Sequence, residues 1–113
     1  MRRALLIAAG LSLAACVTTA PRLGAGERWH REGSFCIALA ADESIEREDP
    51  GTDFFLYHYR RGDRHIVIYE GNHPQRGGII LQTGQRFPAV LSVHGDPALA
   101  RRMLVGERAA ACN

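Results

Sequence analysis

Two runs rich in aromatic and β-branched residues, Asp53 to Arg60 and Arg64 to Glu70, lie on either side of Arg61-Gly62-Asp63. No other feature restricts the fold as much. Gly62 can take the positive φ of a tight turn, and Asp63 can close a local side-chain bond. A two-residue turn at Gly62-Asp63, or a four-residue loop in the same register, pairs Tyr59 with Ile66 and Tyr57 with Ile68. Side chains alternate across a strand, so one face carries Phe55, Tyr57, Tyr59, Ile66 and Ile68. The other carries Phe54, Leu56, His58, Val67 and Tyr69. Both faces are largely apolar, which predicts central strands covered on each side or across much of each side.

The rest of the chain fits around this hairpin. Ser34 to Ala40 is expected as a first strand, and Asp42 to Asp49 with Pro50-Gly51 as an acidic connection holding at most a helical turn. Gly71 to Gly78 has the composition of a surface loop. Ile79 to Gln82 and Phe87 to Val93 form a second hairpin around Thr83-Gly84. Asp96-Pro97 starts a helix, with Asp as N-cap and Pro in the first turn. Leu99, Met103 and Leu104 supply its apolar stripe, and Gly106 ends it. The expected fold is α+β: a mainly antiparallel sheet of about five strands with one C-terminal helix packed on a face.

The N-terminus predicts a destination. Met1-Arg2-Arg3 is a positive leader, and Ala4 to Ala15 is apolar apart from Gly10 and Ser12. Such a run spans about 18 Å as a helix, short of the roughly 30 Å hydrocarbon core, so a signal peptide is expected rather than a membrane span. It ends in Leu13-Ala14-Ala15-Cys16, which resembles the lipobox of bacterial lipoproteins. The resemblance implies lipidation of the Cys16 thiol and cleavage ahead of it. Residues 1–15 are then signal peptide, 16–26 a lipidated tether, and 27–113 a small β-rich domain. Where an Asp after the Cys would favour the inner membrane, this chain has Val17. The resemblance therefore implies the outer membrane, periplasmic face, with lipid chains as anchor.

The segments Asp49-Pro50-Gly51-Thr52-Asp53-Phe54 and Ile68-Tyr69-Glu70-Gly71-Asn72-His73-Pro74 look like those of small proteobacterial lipoproteins with no assigned activity. With Cys16 lipidated, Cys36 and Cys112 remain, and in an oxidising compartment two cysteines predict one disulfide. It closes a loop of about 77 residues, worth roughly 4 kcal/mol in the chain-entropy account. A domain of fewer than 100 residues has a marginal core and gains from such a link.

Charge excludes several functions. The chain carries 14 Lys+Arg against 12 Asp+Glu. Removing Arg2 and Arg3 leaves a formally neutral protein with no electrostatic footprint for nucleic acid. The chain contains no lysine, hence no phosphate-loop motif, and it lacks the Gly-x-Ser-x-Gly and His-Glu-x-x-His signatures. Arg61-Gly62-Asp63 is explained by a turn. His58 and His65 share a hairpin face, but no carboxylate is expected beside them, so neither a metal nor a cofactor is expected. The segment to watch is the strand end and loop carrying Glu70, Asn72, His73 and Arg76, where polar groups could meet a ligand or partner.

The sequence thus leads to a non-enzymatic lipoprotein, anchored at the membrane, that acts as an interaction or structural module for an envelope protein partner. The alternative is a periplasmic inhibitor or small-ligand binder. The first reading expects an exposed apolar or aromatic patch near Trp29 or the Gly71–Gly78 loop. The second expects a cavity lined by Phe54, Tyr57 or Tyr69.

Overall fold

The computed structural model describes residues 22–51 and 53–112. The signal segment, Cys16 and the first part of the tether lie outside them. Among the described residues no helix is long and apolar enough to cross a membrane. The described residues form eight strands in two sheets, not the expected single sheet, because β2 pairs with β1 and β8 and packs across the five-stranded sheet instead of joining it. Strands β1 (Arg28–Arg31), β2 (Phe35–Leu39) and β8 (Leu104–Val105) make a three-stranded sheet in the order β1-β2-β8. Strands β3 (Glu43–Glu48), β4 (Phe55–Arg61), β5 (Arg64–Gly71), β6 (Ile79–Gln82) and β7 (Val90–Val93) make a five-stranded sheet in the order β3-β4-β5-β7-β6. All pairings are antiparallel.

The β4–β5 hairpin has the expected register. Tyr59 faces Ile66, Tyr57 faces Ile68, and Gly62 turns the chain at φ 57°. The face bearing Tyr57, Tyr59 and Ile68 is sealed by β2 residues Phe35, Ile37 and Leu39 and by Leu99, Ala100 and Met103. Phe35 meets Tyr57 edge-on, with ring centroids 5.0 Å apart. At about 25 cal/mol per Å², burying side chains of this size between two layers is the dominant stabilising term.

Four local expectations change. The acidic stretch is a strand, β3, because alternation puts Glu43 and Ile45 inward while Glu46 and Glu48 face solvent. A further strand, β1, pairs Trp29 with Ala38, and Trp29 packs on the cluster of Cys36, Leu104 and Cys112 instead of offering a free patch. The second hairpin is shorter on its return side, with β7 starting at Val90 after the Phe87–Pro88 peptide. Helix α1 (Pro97–Arg102) starts as expected, with the Asp96 side chain accepting from the Leu99 N–H at 2.9 Å. It stops at Met103, whose extended backbone (ψ 125°) releases Leu104 into β8.

The chain ends in a 3-10 helix (Gly106–Cys112) that brings Cys112 to Cys36, with Cα atoms 6.4 Å apart, as a disulfide. That separation lies in the ordinary disulfide range. Pairing of Leu104 with Cys36 in the β2–β8 ladder leads to the same point. Two long-range contacts therefore outweigh the helical pattern of this tail.

Candidate functional site

Each face of the five-stranded sheet carries carboxylates, and the two sets are used differently. On the inner face Glu43 is 2% exposed. Its oxygens accept from Arg102 Nη1 at 2.7 Å and Nη2 at 2.8 Å, from the Ala40 N–H at 2.8 Å, and from the Tyr59 hydroxyl. The Arg102 guanidinium is the chief cause that holds the Glu43 carboxyl down at about 2, against the opposing effect of burial. Burial, then the bond to Glu43, pushes the Tyr59 phenol up. This network joins α1 to β3 and β4.

Glu70, expected at the mouth of the Gly71–Gly78 loop, lies on the inner face and is 3% exposed. Oε1 accepts from the Tyr57 hydroxyl at 2.8 Å and Oε2 from the Ser34 hydroxyl. Burial, with the Glu70 carboxylate second, raises the Tyr57 phenol well above its ordinary range. Asn72, His73 and Arg76 stay exposed at the surface. The structure therefore does not bring the four candidates together. The alternation that places Tyr69 outward places Glu70 inward.

On the outer face, no strand or helix among the described residues covers the middle of β4 and β5. Phe54, Leu56 and Tyr69 are only partly buried, and Val67 is 37% exposed. The Gly71–Gly78 loop folds back along one side of this surface. The Gln75 N–H donates to Ser92 Oγ at 3.0 Å, the Ala89 N–H donates to Asn72 Oδ1 at 2.9 Å, and His94 Nε2 lies 3.1 Å from the Arg76 carbonyl. Tyr69 stacks on Phe54 with centroids 5.6 Å apart, and its hydroxyl accepts from the His73 N–H at 3.2 Å. Position 71 favours glycine, because a Cβ there would collide with the Tyr69 hydroxyl and the ring would have to move.

The result is an open groove of about 670 Å³ with Phe54, Leu56, Val67 and Tyr69 as its apolar lining and His65, His73 and His94 among its polar groups. One wall carries a chain of hydrogen bonds. Glu48 Oε1 lies 2.7 Å from His58 Nε2, and His58 Nδ1 lies 2.9 Å from His65 Nε2. With a proton on His58 Nε2 donated to Glu48, a single proton bridges the two imidazoles, because a second would set N–H against N–H. Desolvation, then Arg60 and His58, holds the His65 imidazole below 6.5.

The sequence pattern does not single out Glu48, because its charged stretch has the composition of a connection. A strand in place of that connection sets it diagonally across from His58. Among the described residues no group of three or more His, Cys, Asp or Glu side chains could hold a metal ion. In the geometry present, the nitrogens of His58 are directed at Glu48 and His65. The groove can therefore offer apolar contact, aromatic stacking and imidazole hydrogen bonds. No protein-family model, characterised protein or solved structure matches this chain.

Proposed function

We propose that the protein is a lipoprotein, anchored through Cys16 at the periplasmic face of the outer membrane, that acts as a non-enzymatic interaction module. The outer face of its five-stranded sheet meets an envelope partner. One observation carries this reading: the strands whose two faces are both apolar have only one face sealed. Phe54, Leu56, Val67 and Tyr69 are left in an open groove beside a hydrogen-bonded loop. Contiguous apolar surface of this kind, rimmed by polar groups, marks interaction sites.

The test is a photo-crosslinking residue at Val67, in the lipidated full-length chain inside cells, with a second at exposed Glu107 as control. A discrete product from Val67, absent from Glu107 and lost when Cys16→Ala releases the protein from the membrane, is the expected result. Equal labelling from both positions, or none from either, overturns the reading.

A small-ligand binder is the second reading. The volume of the groove and the Phe54–Tyr69 pair support it, since a cleft of several hundred Å³ with an aromatic wall suits a compact apolar ligand. Native mass spectrometry of the protein purified from its own envelope separates the two. A bound small mass favours the ligand, and a bound polypeptide favours the module.

A further inference from the structure

A different surface carries an inference of its own. The two sheets expose edge strands, and an open edge invites pairing with another chain unless it is charged, very short or interrupted by proline. Strand β3 is Glu-Ser-Ile-Glu-Arg-Glu, β1 is Arg-Trp-His-Arg, and β8 is two residues long. Strand β6 is Ile-Ile-Leu-Gln, with no charge and no proline, and it forms the end of the five-stranded sheet.

The register shows which groups of β6 are open. The Thr83 N–H donates to the Ala89 carbonyl, and Gln82 stands opposite Val90. Gln82–Val90 is therefore a non-hydrogen-bonded pair, and by alternation Ile80–Ser92 is another. The backbone N–H and C=O groups of Ile80 and Gln82 point away from β7, and no described residue bonds to them.

Beside this edge lies a groove of about 420 Å³ between β6 and α1, lined by Ile79, Leu81, Ala100 and Met103 together with Arg101 and Arg108. Neither arginine makes an ion pair among the described residues. No acidic residue lines the groove.

We infer that β6 is a strand-addition site for an extended segment of a partner protein, apolar in its middle and acidic at its ends. The segment pairs with Ile80 and Gln82 through main-chain hydrogen bonds. Alternate side chains enter the groove over Leu81 and Met103, and its carboxylates meet Arg101 and Arg108. Main-chain pairing supplies affinity in this mode, and side-chain pockets supply selectivity. The two unpaired arginines favour an acidic segment over a second copy of this chain, which would bring its own Arg101 and Arg108 to the same edge.

The probe is a blocked peptide, Glu-Glu-Val-Thr-Val-Thr-Val-Glu-Glu, added to the full-length chain in detergent and followed by backbone amide resonances and hydrogen exchange. Binding is expected to shift and protect the Ile80 and Gln82 amides while Val67 and Tyr69 stay unmoved. The same peptide N-methylated at alternate amides is expected to bind at least about tenfold more weakly. Gln82→Pro has the same effect with an unchanged melting midpoint, because that N–H is outside the ladder. Arg101→Glu with Arg108→Glu shifts preference to the peptide with lysines in place of the glutamates.

The N-methylated peptide needs no change to the protein, so a Gln82→Pro chain that fails to fold leaves the test standing. Binding indifferent to N-methylation overturns the inference. So does dimerisation through β6 in sedimentation without peptide binding, or binding of the two arginines to anionic phospholipid vesicles in its place. None of these positions lines the Phe54–Tyr69 groove, so loss of peptide binding and loss of the Val67 cross-link are separate results.

Discussion

The two faces of the β4–β5 hairpin come from alternate residues of the same two strands and have similar chemistry: aromatic rings, aliphatic side chains, and carboxylates from β3 and from β5 itself. On the inner face the carboxylates are dehydrated and fully matched. Glu43 has a bidentate guanidinium, a hydroxyl and an amide, and Glu70 has two hydroxyls. On the outer face the Glu48 carboxylate stays half exposed, at 53%, and has the His58 imidazole as its partner at 2.7 Å. The difference teaches that burial by a second layer fixes what a polar group does. The sealed face holds the fold together, and the open face is free to bind.

The strongest way to break this comparison is to remove a cation from the sealed face. Arg102→Ala takes the bidentate partner from buried Glu43 and leaves it only the more distant Arg61 Nη1 at 3.8 Å, so a loss of about 3 kcal/mol is expected in chemical denaturation. Cutting the covalent link between β2 and the C-terminal 3-10 helix comes next. Cys112→Ser is expected to cost about 2–5 kcal/mol, with the same change seen on reduction of the wild-type protein. A retained midpoint in either case would mean that the inner face is less dependent on these links than its geometry indicates.

Acid tests the same face without mutation. Glu43 is lowered from 4.5 to about 2 in the folded chain, so its contribution is complete above the unfolded value and is lost as pH falls through the folded one. Unfolding free energy should decline between about pH 5 and pH 2, and Glu43→Gln should flatten that decline. An undiminished slope in Glu43→Gln would assign the acid sensitivity to other carboxylates.

The outer face gives smaller effects on stability and larger ones on binding. Gly71→Ala places a methyl group against the Tyr69 ring, so a cost of about 1–3 kcal/mol is expected, with loss of the Phe54–Tyr69 stack in ring nuclear Overhauser contacts. Val67→Ser is expected to change stability by no more than about 0.5 kcal/mol while abolishing the cross-link from a neighbouring groove position. His58→Ala should raise the His65 midpoint toward its ordinary value in an imidazole titration, because it removes one cause of the depression and opens the ring to water. These results would sharpen the contrast, since they separate the proposed binding at the open face from the stability that the sealed face supports.

Much of this contrast is legible in the sequence. Period-two alternation gave the register of β4 and β5, the composition of their faces, and the grouping of His58 with Val67 and Tyr69. The same alternation, continued one residue past Tyr69, puts Glu70 on the inner face. The strand at Glu43–Glu48 was harder to see, because four of its residues are charged and the one strong apolar signal is Ile45. A charged edge strand has the composition of a loop. The tail departs from its pattern for the opposite reason: Leu99, Met103 and Leu104 have helical spacing, but the ladder to Cys36 and the disulfide at Cys112 draw the chain out of the helix.

What the sequence alone determined is local or covalent in kind. It includes the hairpin and its turn, the Asp96 cap, the pairing of Cys36 with Cys112, and the antiparallel β character of the domain. Each follows from neighbours in the chain or from a count. What only the tertiary structure decided is which apolar face of the hairpin is covered, which carboxylate meets a cation, and which edge strand stays open. Those outcomes depend on where the three-stranded sheet and α1 settle. That choice is set by packing between residues far apart in sequence, and no local pattern encodes it.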